Sequence, residues 1–216
     1  VEIRLGGSSG FNTLDLMSLY TPDDFTTYIR ADRKRGDPPV SGGVGFLGGV
    51  DNGGDFRVEE VNVFFNHDAN VGQVHVTNGG VGLGPLAEVN ADGLRLWDAN
   101  LNVGEGSLTL SEDINSWGGT IGKFAPGMTT VNQGVVVWPG HTEFQQGFMP
   151  TGSTANLSFG GRLDWRSGGT VAFKVDDPEN QHFEFEQVTD AGPSGIIPYA
   201  SYRDSLSTPF GIVTHA

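Results

Sequence analysis

Glu184 and Glu186 stand two residues apart in "QHFEFEQV", a spacing that puts both carboxylates on one face of a β-strand. Paired carboxylates are what glycoside hydrolysis uses, one as acid and one as nucleophile or base. Glu143 and Asp164 are the further acids that could join them. Phe183 and Phe185 alternate with the pair, however, and alternation of apolar and solvated positions accounts for the two acids without any catalysis. The chain has no Cys, so it has no thiol nucleophile, and it has no Gly-x-Ser-x-Gly elbow. No catalytic residue is assigned, and an enzyme is not the expected reading.

Two other sets of residues suit binding. "DNGGD" offers Asp51 and Asp55, and "DDPEN" offers Asp176, Asp177 and Glu179. These are hard oxygens of the kind a structural calcium ion takes, although neither string matches a twelve-residue helical-hand loop. Trp97, Trp117, Trp138 and Trp165 could form a stacking platform for sugar rings. The five His residues are scattered, and none pairs at the spacing of a helical metal site. No other cofactor is indicated. The Gly-rich stretch 38–56 is not a phosphate loop, since it lacks Lys-Ser/Thr and leads into a strand rather than a helix.

Positive charge is unevenly placed. Arg30, Arg33, Lys34 and Arg35 are four of only 12 Lys and Arg, against 26 Asp and Glu. Thr21, Pro22, Asp23 and Asp24 read as a helix start, Phe25 and Ile29 fall four apart, and Gly36 reads as a stop. The cluster therefore falls in the last turn of a helix of about 14 residues, where cations complement the dipole. The same four cations are the contact expected of an assembly arm meeting a neighbour's acidic surface.

From residue 55 onward apolar residues recur with period two. Val61, Val63 and Phe65 share one face, Val74 and Val76 oppose His75, and Leu94 and Leu96 oppose Arg95 and Trp97. Gly makes up 34 of 216 residues, roughly twice the usual share of about 7%, and punctuates short strands with turns. The expected fold is all-β: an antiparallel two-sheet β-sandwich, most simply a jelly roll, with a short N-terminal helical arm. A β-helix is the alternative, set aside because no repeat of fixed period is found. The expected domains are an arm over 1–38, a Gly-rich connector over 39–55 and a β-sandwich body over 56–216.

A formal net charge of -14 argues against direct nucleic-acid binding by the acidic body. No apolar run is long enough for a transmembrane helix. Asp-rich, Lys-poor surfaces stay soluble in salt, so the expected setting is a virion or an extracellular surface, including high-salt environments. The leading expectation is a structural coat or shell subunit, most concretely a jelly-roll capsid protein partnered by copies of itself or a sister subunit. A carbohydrate-binding module or lectin is the alternative, and a glycoside hydrolase or lyase on a β-sandwich is the third.

Overall fold

The period-two segments do form strands, yet each pairs with strands a full turn of chain away rather than with its neighbour in sequence. The computed structural model describes residues 1–6, 12–22, 25–32, 42–147, 149–150, 152–166, 168–177, 180–190 and 212–215. Among the described residues there are 22 strands and no helix. The strands form one sheet of 14 and one of eight. Every pairing among them is parallel.

The chain is a parallel β-helix. A representative coil runs along Ala69–Thr77 in the larger sheet, turns a corner and crosses to Gly80–Leu83 in the smaller one. It then returns to lay Glu88–Trp97 beside Ala69–Thr77, one residue over another. Long strands such as Ala155–Trp165 run unbroken through both halves of the larger sheet, and in other coils that path is split, as in Ser107–Leu110 and Ile114–Ser116.

The antiparallel sandwich and the jelly roll are thereby overturned, and the jelly-roll capsid reading loses the fold it rested on. Alternation of inward and outward side chains is the same in parallel and antiparallel strands, so it could not decide between them. Parallel neighbours need a long crossover, and here the strand in the other sheet serves as that crossover. The helical arm is corrected too. Thr27–Asp32 is a strand, held between Glu2–Gly6 and Phe56–Glu59. Thr27 and Ile29 are buried while Tyr28 is exposed, the period of a strand rather than a helix. Gly42–Phe46, within the expected connector, is a strand that pairs with Asn12–Leu16 on one side and Asn62–Phe65 on the other.

Inward positions stack into apolar columns. Val44, Val63, Val81, Leu101, Ile121, Phe144 and Phe173 lie in register through seven coils of the smaller sheet. Phe159 and Phe185 stack in the interior with centroids 4.7 Å apart. Several buried positions are polar, and one of them carries an amine. Lys123 is fully buried, and its ammonium donates to the Gly104 carbonyl and, at 2.9 Å, to Thr129 Oγ1.

The corner where the chain leaves the larger sheet explains much of the composition. Glu60, Asn78 and Asp98 take φ of 59°, 50° and 46° there, and Gly118, Gly140 and Gly168 take 122°, 151° and 86° in later coils. Left-handed backbone is tolerated best by Gly, Asn and Asp, the residues that punctuate the sequence. At Gly119 the corner is tighter still, since a Cβ would run into the Ala99 carbonyl.

Candidate functional site: an aromatic ladder and the cleft at its end

Three of the four tryptophans follow one another along the outside of this corner. Leu96 lies over Ser116, and Val137 follows Ser116 in register, so the residues just after them (Trp97, Trp117 and Trp138) occupy one column on successive coils. Trp97 and Trp117 stack with centroids 4.7 Å apart and planes 7° apart, and Trp117 and Trp138 follow at 5.6 Å and 6°. The first spacing equals the rise of one coil, about 4.7–4.9 Å.

The ladder is closed at one end. The Arg166 guanidinium lies 5.6 Å from the Trp138 ring centroid and pairs with Asp164, Nη2 to Oδ2, at 2.7 Å. Trp138 Nε1 donates to Asn115 Oδ1 at 2.8 Å. Trp165 lies apart from the ladder: it is buried in the core, where its Nε1 donates to the Gly169 carbonyl. Both faces of Trp117 and Trp138 are thus taken by neighbours, leaving their edges outward.

The other end is open. One coil before Trp97 the column holds Thr77, and one coil before that Glu59. The tryptophan column stops there. His75, two residues earlier on the same strand, stacks against Trp97 at 5.9 Å and 6°. With a coil rise of about 4.8 Å, that separation leaves a sideways offset of about 3.4 Å, so His75 covers only part of the indole. The result is an open cleft of about 370 Å³ lined by Arg57, Val58, Glu59, His75, Thr77 and Trp97.

Its electrostatics are mixed. Asp55 Oδ2 stands 3.2 Å from Arg57 Nη2 and 3.8 Å from His75 Nε2. The Arg57 guanidinium also lies over the Tyr28 ring at 5.7 Å. Burial lowers the His75 pKa below its ordinary 6.5; Asp55 opposes this, while Arg57 and Arg95 add to it. Arg57, His75 and Arg95 are register-matched outward positions on three successive coils.

The remaining expected residues lie elsewhere. Asp51 is on another ladder of the larger sheet, over Asn70, and Asp55 is engaged with Arg57 and His75. Asp176 and Asp177 form a turn in which both backbone amides donate to Gln181 Oε1. Glu179 lies outside the described residues. Among the described residues no group of three or more His, Asp or Glu is placed to hold a metal ion. Glu184 accepts from Ser158 Oγ at 2.8 Å. Glu143 is in the smaller sheet and Asp164 beside Arg166, so neither joins Glu184. Arg30 pairs with Glu2 at 2.7 Å in the first coils, and Arg33, Lys34 and Arg35 lie outside the described residues.

Sequence reasoning missed Arg57, Glu59, His75 and Thr77. Their signal was present but weak: His75, Trp97 and Trp117 recur at spacings near twenty, which only coil stacking turns into contact. A second, more polar cleft of about 350 Å³ includes Asn70, Asn90, Asp92, Thr109 and Ser111, with Asn90 Nδ2 donating to Asn70 Oδ1; it presents no aromatic ring. No described helix is long and apolar enough to cross a membrane. No family model matches the chain, and no curated protein or solved structure matches it either.

Proposed function

We propose that the protein binds carbohydrate, with one sugar ring stacked on the part of Trp97 that His75 leaves uncovered. The observation that carries this reading is the missing rung: the tryptophan column ends at Thr77, and His75, offset beneath Trp97, leaves part of that indole facing a cleft bordered by polar groups. Sugar rings present an apolar C–H face that packs on an indole and a rim of hydroxyls that needs donors and acceptors. Thr77, Glu59, His75 and Arg57 supply both kinds. The volume falls in the range of about 300–1,000 Å³ usual for small-ligand sites. Stacked Trp117 and Trp138 hold Trp97 rigid, which lowers the ordering cost of binding.

A glycan array followed by tryptophan fluorescence titration tests this. Binding should quench or shift the indole emission, and Trp97→Ala should abolish both the signal and the binding. A folded protein that retains glycan affinity without the Trp97 ring would place the site elsewhere.

A further inference from the structure

The cleft is not electrically symmetric. On the side toward the start of the strand, His75 sits between Arg57 and Arg95, one coil below and one coil above. Each is therefore about 4.8 Å away along the stack at the backbone. On the side of the Trp column, the level below Thr77 is held by exposed Glu59. A chain with only 12 Lys and Arg and a net charge of -14 spends two guanidiniums and an imidazole on adjacent rungs beside the partly covered indole of Trp97. Asp55 takes up Nη2 of Arg57 and Arg57 Nε is buried, which leaves Nη1 of Arg57 and the guanidinium of Arg95 to offset Asp55 and Glu59.

We infer, resting on the saccharide reading above, that the bound sugar is acidic: its ring lies under Trp97, its carboxylate points to Arg57 and Arg95, and its hydroxyls meet Thr77 and Glu59. The planar guanidinium of Arg95 can meet a carboxylate in two-point contact, and Arg57 adds a single one through Nη1. The opposite orientation would set the ligand's charge against Glu59, a repulsion with no compensating contact. A carboxylate acceptor such as Glu59 is satisfied by hydroxyl donors, which the other rim of the ring provides. The two polar walls therefore fix the direction of the sugar as well as its charge.

The test uses an array of neutral and uronate-containing glycans, then calorimetry on each acidic glycan that binds and on its carboxyl-reduced counterpart, which differs only in bearing a hydroxymethyl group. The acidic form is expected to bind at least tenfold more tightly, and the difference should shrink as salt is raised. Arg95→Gln should bring the acidic form toward the affinity of the reduced form and change the reduced form little, whereas Arg57→Gln, which also removes a hydroxyl partner, should weaken both forms and the acidic one more. Two variants are used because Arg57 also covers Tyr28. Equal affinity for acidic and reduced forms, or binding of neutral glycans alone, would overturn the acidic-sugar inference and leave the saccharide reading standing. Silence across the whole array from a folded protein would overturn both.

Discussion

Trp97 and Trp117 lie face to face, 4.7 Å apart and within 7° of parallel, because twenty residues of chain bring them to the same corner on successive coils. Trp117 has a second stacking partner in Trp138. Trp117→Ala removes both contacts, each worth about 0.5–1.5 kcal/mol beyond area burial. With the lost packing, the expected destabilisation is about 2–4 kcal/mol by urea unfolding. Near-ultraviolet circular dichroism from coupled indoles should collapse in this variant and survive in Trp165→Phe, since Trp165 stands outside the ladder.

His75 gives the molecule a pH-dependent stability. Burial holds its folded pKa below 6.5, so the unfolded chain takes up the proton more readily. Stability is full above the unfolded pKa and falls as pH drops from there toward the folded pKa. The urea midpoint of the wild type should decline between pH 7 and pH 5 more steeply than that of His75→Gln. Parallel curves would show that His75 is not the group responsible.

Lys123 places an amine in the interior. Burial lowers its pKa, with Glu105 opposing, so charging it costs more in the folded than in the unfolded chain. Stability from this group is held back while it is charged and recovers as pH rises from the folded pKa toward 10.5. Lys123→Met keeps most of the length of the side chain and removes the charge. It should be neutral or stabilising by up to about 2 kcal/mol at pH 7, and should flatten the alkaline part of the stability curve. Lys123→Ala should instead cost about 2–4 kcal/mol through the cavity it leaves.

The facing of individual strands was legible in the sequence. Val74 and Val76 point inward and His75 outward, as alternation requires, and Phe183 and Phe185 are fully buried. Which strands pair was not legible, because period two is common to parallel and antiparallel sheets. Coil length also hid the repeat. Phe56 lies beside Val74, 18 residues on, while Val135 lies beside Leu163, 28 residues on. The segment around Phe25 and Ile29 imitates a capped helix, but Tyr28 and Ile29 are better satisfied between two strands. For the site, the tryptophans were visible as a set. Their stacking, and the gap that Thr77 leaves, depend on register and had no trace in local pattern.

The corner itself can be tested through Gly119. Its φ of 102° and the Ala99 carbonyl facing its missing Cβ leave no room for a methyl group. Gly119→Ala should cost at least about 2 kcal/mol from backbone strain and steric displacement, measured by chemical unfolding. A change within about 0.5 kcal/mol, the range of an ordinary surface substitution, would mean that the corner is looser than its geometry.

Filling the missing rung is the most direct test of glycan binding at the ladder's end. Thr77→Trp sets a fourth indole one coil below Trp97, in the space assigned to the sugar, and leaves Trp97, Arg57, Glu59 and His75 in place. Calorimetric titration with a glycan that binds the wild type should show affinity lost by at least a hundredfold, while the thermal midpoint stays equal or rises through the added stack. A Thr77→Trp protein that is folded and binds the same glycan with wild-type affinity would contradict the cleft beneath Trp97 as the binding site.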